Sequence, residues 1–119
     1  MRDTTPPTLA VTIVHSDYVA KNPEAVARFI AAMRKTLEYG SKNKDRVAEM
    51  LQKAANMSAV DAKAYAGQWD GAYMASLEAA DVTSLKNMQD IAKATGAVKS
   101  DAPDSAFLTA PYQRSKQIK

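Results

Sequence analysis

Thr8-Leu9-Ala10-Val11-Thr12-Ile13-Val14, then His15-Ser16-Asp17-Tyr18, then Asn22-Pro23-Glu24-Ala25-Val26-Ala27-Arg28-Phe29 is the stretch that decides the fold. Its first seven residues are rich in β-branched side chains and follow Pro6 and Pro7, which disfavour a helix. They predict one strand over Thr8 to Val14. Leu9, Val11 and Ile13 fall on one face and Ala10, Thr12 and Val14 on the other, so both faces suit burial, as in a parallel sheet. Asn22 is placed to cap the free amides of a helix, Pro23 suits the first helical position, and Glu24 lies near the positive dipole end. A strand therefore feeds a helix. Val26, Phe29, Ile30, Met33 and Leu37 form its apolar stripe, and Gly40 is placed to end it in a left-handed turn.

Outward from there the pattern stays helical. Asn43 offers a second cap, before Val47, Met50, Leu51 and Ala54 at helical spacing up to Asn56. Ser58 with Asp61 reads as a capping box, opening a third helix that carries Val60, Ala64 and Tyr65 towards Trp69. The stretch 72–80 reads as a short helix or a connector. Asp81 or Thr83 caps a last main helix with Leu85, Met88, Ile91 and Ala92 as its stripe and Gly96 as its stop. The fold class is mainly α: one N-terminal strand followed by four to five packed helices. Residues 1–7 are expected to be a disordered segment, 8–112 a single helical domain with one strand, and 113–119 a flexible tail. A lone strand leaves backbone donors and acceptors unpaired, so another chain or another lobe must supply its neighbour.

Composition narrows the function classes. The chain has 119 residues, 46% of them hydrophobic, enough for one core, and 7% aromatic with Trp69 the sole tryptophan. That balance favours closely packed helices. The net charge of +3 comes from 16 basic and 13 acidic residues of mixed order, whereas a nucleic-acid binder concentrates basic and aromatic groups on one surface. No nucleic-acid partner is expected. No apolar run approaches the roughly 20 residues that cross a bilayer, so no membrane insertion is expected. The start Arg2-Asp3-Thr4-Thr5-Pro6-Pro7 is unlike a signal peptide, which reads as cytoplasmic for the chain as written.

Chemistry-bearing residues are sparse. His15 is the single histidine and stands where the strand ends, a place that borders binding crevices in open α/β sheets. It is the candidate ligand-binding residue, against the plainer reading of an exposed residue bonded to its loop. His15, Ser16 and Asp17 are consecutive and do not make a catalytic triad. There is no cysteine, and the carboxylates have no ligand spacing, so no metal, no cofactor and no enzyme activity is expected. Lys42, Lys44 and Arg46 read as a solvated loop rather than an anion patch, given Asp45 and Glu49 nearby. Tyr65, Trp69 and Tyr73 form a ladder at helical spacing if one helix runs through Gly71.

The strand, the Asn22-Pro23-Glu24-Ala25-Val26 helix start, the Asn43 and Ser58 helix starts, and Ser84-Leu85-Lys86-Asn87-Met88-Gln89-Asp90 with Gly96 come in an order with a known likeness. It resembles the carboxy-terminal portion of the substrate-binding proteins of ABC importers, in the nitrate, sulfonate, taurine and thiamine-precursor group. The resemblance implies a type 2 periplasmic binding fold of two α/β lobes, a periplasmic location, and a membrane permease as partner. It also implies a small anionic or heteroaromatic solute held between the lobes. Only part of such a fold would be here, with its N-terminal lobe missing and its ligand cleft incomplete, and no family ligand residue transfers onto this chain. The alternative is an independent helical interaction module that forms a homodimer by pairing its N-terminal strand across a twofold axis, covering Val11 and Ile13.

Overall fold

A computed structural model describes residues 11–72 and 75–119. The chain is mainly helical, as its periodicity predicts. In order it forms α1 (Ser16–Lys21), α2 (Pro23–Lys42), α3 (Lys44–Ala55), α4 (Ala59–Gly67), α5 (Trp69–Ala72), α6 (Ala79–Ala94), a 3-10 turn (Asp104–Ala106) and α7 (Thr109–Ser115). The four long helices fall where the apolar spacing puts them. The expected strand is corrected where it can be seen: Val11 to Val14 have no regular structure, while Thr8, Leu9 and Ala10 lie outside the described residues. A strand exists through its ladder, and among the described residues no strand is present to pair with it.

The first two long-helix junctions share a device that the capping reading missed. Asn22 and Asn43 sit between helices with nearly the same dihedrals, φ −134° and ψ 51° and 53°. Neither side chain caps the helix that follows. Each turns back instead: Asn22 Nδ2 donates to the Tyr18 carbonyl at 3.2 Å, and Asn43 Nδ2 donates to the Tyr39 carbonyl at 2.8 Å. Carbonyls of a helix's last turn lack intrahelical donors, so an amide serves there as well as at a start. Pro23, in the first turn of α2, has no N–H to satisfy. The sequence carries this device twice, as Tyr18-Val19-Ala20-Lys21-Asn22 and Tyr39-Gly40-Ser41-Lys42-Asn43.

Gly40 is corrected too. It does not stop α2, which runs on to Lys42. It is buried inside the helix, and a Cβ placed on it would stand 2.4 Å from the indole of Trp69. The glycine is a notch for that ring, which completes its seat with a 2.9 Å bond from Nε1 to the Leu37 carbonyl.

α3 and α4 pack on each other as a helical hairpin. Their shared core is Val47, Ala48, Ala62 and Ala66, with Leu51, Met57 and Trp69 packed against it. The expected stripe is partly displaced: Met50 is 65% and Val60 80% exposed, and Tyr65 also faces out. Alanines four residues apart on α4 let the helix axes approach, and larger side chains are pushed to the flanks. Ser58 starts α4 as its spacing predicts, its Oγ accepting from the Asp61 N–H at 3.1 Å.

α2 buries Val26, Ala27 and Ala31 but leaves Phe29 52% exposed. Its partner is α7, a helix that runs across the expected start of the tail at Gln113. Tyr112 and Ser115 are buried on it, a spacing of three that places both on one face, and Ile118 just past its end is half-buried. The expected flexible tail from residue 113 is corrected to this extent: Gln113 to Ser115 belong to a docked helix, and Arg114 pairs with Glu24 at 3.1 Å.

α6 starts one turn earlier than expected. Glu78 is its N-cap position, and the Asp81 carboxylate, three residues in, accepts from the Glu78 N–H at 2.8 Å. Leu85, Met88 and Ala92 are half-buried and Ile91 is exposed, so α6 holds no buried residue. Its flank is tied to the following segment by Gln89 and Lys93 on Asp101 and by Lys86 on Asp104. Gly96 ends it as predicted, at φ 75°, with Ala97 N–H bonded to Ala92 O at 2.8 Å and Gly96 N–H to Lys93 O at 3.0 Å.

The glycines separate into two kinds by measurement. Gly96→Ala is expected to destabilise the fold by about 1 kcal/mol, because a Cβ is strained at that φ. Gly67→Ala meets nothing within 4 Å and is expected to stabilise by about 0.5 kcal/mol. Urea unfolding followed by circular dichroism distinguishes the two shifts.

Candidate functional site

Sequence reading singles out His15, Val11 and Ile13, and all three lie in the exposed N-terminal stretch. His15 is the N-cap of α1: its Nδ1 accepts from the Asp17 N–H at 3.3 Å. That is the plainer of its two readings. Its imidazole is 78% exposed, with the Asp17 carboxylate 4.0 Å away. None of the three residues lines either the groove along α2 or the hollow around Ser41 to Arg46.

A groove of about 580 Å³ lies between α2, the start of α5 and α7. α2 contributes Arg34 and Glu38, the start of α5 Asp70, and the connector before α6 Glu78. Tyr112 and Lys116 close the far side. The hub of this side is Glu78. It accepts from Tyr112 Oη at 3.0 Å, from Gln113 Nε2 at 3.3 Å, and from Lys116 Nζ. Those donors, Lys116 first and Tyr112 second, hold the Glu78 carboxyl below the usual glutamate range. Lys116 and Arg34 both stand over the Tyr112 ring, at 4.8 and 5.9 Å from its centre. Asp81 is likewise held low, by the Ser76 hydroxyl at 2.5 Å and then by the Glu78 N–H.

This arrangement balances charge rather than concentrating it. Three acids, Glu38, Asp70 and Glu78, and three cations, Arg34, Lys35 and Lys116, line the same space, so no net field pulls in an ion of one sign. Ser115 is buried, but its hydroxyl donates to the Tyr112 carbonyl at 2.6 Å, and it has no base beside it. Among the described residues no group of three or more His, Cys, Asp or Glu side chains is placed to hold a metal ion.

The basic run pairs internally: Lys42 with Glu38 at 2.6 Å, Lys44 with Asp70 at 2.7 Å, and Arg46 with Glu49 at 2.7 Å. The aromatic ladder is broken, since α4 ends at Gly67 and α5 begins at Trp69; Tyr73 lies outside the described residues. The Glu78 hub was missed because its partners are up to 38 positions away. One signal did exist, the spacing of Tyr112 and Ser115, which marks a helix face across the start of the stretch read as tail.

No family model, no curated protein and no solved structure matches this chain. No helix among the described residues is long and apolar enough to cross a membrane.

The hub gives a pH dependence with a definite sign. A carboxylate whose folded pKa is depressed stabilises the fold above its unfolded value and loses that contribution as pH falls through the folded one. The advantage of the native chain over Glu78→Gln is therefore expected to be full above the ordinary glutamate value of 4.5 and to vanish as pH drops below it. Thermal unfolding of both proteins from pH 7 to pH 3 checks this, and parallel curves contradict it.

Proposed function

We propose that this chain is the carboxy-terminal helical portion of a solute-binding component of an ABC importer, whose α/β lobe is supplied by further polypeptide. What supports the reading is the extent of surface this fold leaves open, large apolar side chains included. A compact monomer of 12.9 kDa exposes roughly 6,300 Å², whereas this chain exposes 9242 Å². Its radius of gyration is 16.9 Å, against about 13.5 Å for a compact domain of this length. Phe29, Met33, Ile91, Val11 and Ile13 are all on that surface. A helical layer made to cover one side of a sheet has this character when the sheet is absent. The order of helix starts and stops that carries the resemblance, from Asn22-Pro23-Glu24 to Gly96, is also the order of α2, α3, α4 and α6.

The solute would be small and anionic or heteroaromatic, a nitrate, sulfonate, taurine or pyrimidine, and the partner a membrane permease in the periplasm. A cleft needs groups converging from two walls, so the chain alone is expected to give no heat of binding with nitrate, taurine or a pyrimidine in isothermal titration. Micromolar binding by this chain alone overturns the incomplete-cleft reading. Sequencing the locus directly upstream of the Met1 codon tests the lobe. An open frame encoding an α/β lobe is expected, and stop codons followed by a separate promoter contradict the proposal.

A second reading is favoured by one observation: Val11 and Ile13 are 62% and 88% exposed in a stretch made of strand-forming residues. In that reading the chain is a helical interaction module that homodimerises, two copies pairing Thr8 to Val14 antiparallel. Val11→Lys with Ile13→Lys is then expected to give monomers or aggregates in sedimentation experiments. A dimer unchanged by both substitutions removes that interface.

A further inference from the structure

We infer that the α3–α4 hairpin is a hinged arm, jointed at Asn43 and held against α2 by a latch in which the Trp69 ring sits in the Gly40 notch. This inference is independent of the import reading. The arm has a core of its own, in Val47, Ala48, Ala62 and Ala66. The other buried side chains, Val26, Ala27, Ala31, Tyr112 and Ser115, belong to α2 and α7. Such separate clusters open as separate cooperative units.

On its α2 side the arm is joined by a single non-helical residue. Asn43 spends its side-chain amide on α2, at the Tyr39 carbonyl, and gives α3 no side-chain cap. A change in its two backbone dihedrals, together with the turn at Gln68 where the chain leaves the arm, swings the arm while the helices of either unit stay intact.

The described contacts that tie the arm down gather at one spot. Trp69 packs against the arm's core, fills the notch at Gly40 and bonds to the Leu37 carbonyl at 2.9 Å. Beside it Asp70 bonds to Lys44 at 2.7 Å across the joint, and that bond holds the Asp70 carboxyl below the usual aspartate range. This ion pair is largely exposed, so it guides rather than locks. Asp70 and Ser41 also wall the groove that reaches Glu78 and Lys116. The latch therefore sets the shape of that groove: with Trp69 seated Asp70 stands in its wall, and with the latch open Asp70 leaves while Ser41 stays on α2.

The test uses the full chain. Trp69 is the sole tryptophan and the chain has no cysteine, so fluorescence reads the latch directly, and Ala32→Cys with Lys53→Cys places two spin labels, one on α2 and one on α3. Gly40→Ala puts a methyl where the indole sits and favours the helix itself. The expected result is a red-shifted tryptophan emission, stronger quenching by iodide, and a second, broader distance population, with far-ultraviolet circular dichroism unchanged. Unchanged emission and distances overturn the inference. Loss of the helical signal with the substitution also overturns it, because the arm is then part of one indivisible core.

Discussion

The seating of one indole in one glycine decides how this chain is assembled. Trp69 Nε1 finds its acceptor near the end of α2, at Leu37, and the ring lies where any side chain at position 40 would be. Burying an indole requires a partner for its N–H as well as apolar surroundings, and the last turns of α2 provide both. The hairpin of α3 and α4 is positioned by that contact, and the groove along α2 acquires a wall from it. A glycine within a helix ordinarily costs helical stability; here the cost is offset by the packing it permits.

Small side chains carry the remaining close contacts. Ala27, Ala31, Ala48, Ala62 and Ala66 are buried, while Phe29, Met33, Met50 and Tyr65 face out. The usual expectation that the largest apolar residues mark the core inverts for much of this chain. Close helix approach explains the alanines. The outward aromatic and methionine residues have no such role within the described fold, and they are the physical reason for reading the chain as one side of a larger assembly.

Features written within four or five residues were readable in the sequence. Ser58 and Asp61, Gly96, and the Pro23-Glu24 start depend on local backbone geometry alone, and each sits where its spacing puts it. Asn22 and Asn43 were read as junctions correctly but in the wrong direction, because an asparagine between two helices can serve either end. Gly40 was read as a stop because its notch is explained only by a ring at position 69. The Glu78 hub and the docking of α7 depend on pairs 34 to 90 positions apart, which no local pattern encodes. The strand over Thr8 to Val14 has a different difficulty, since β propensity states a preference that only a neighbouring strand can realise.

The pairing of Arg114 with Glu24 joins positions 90 residues apart and brings α7 onto the first turns of α2. Closing a chain into a ring of that size has an entropic cost that grows only with the logarithm of its length, about 0.6 kcal/mol for each doubling. Extra residues in the connector between Gly96 and Thr109 would thus change the energy of closure very little. The α2–α7 pair behaves as a clasp whose strength belongs to its own contacts, and the length of chain it encircles is free to vary.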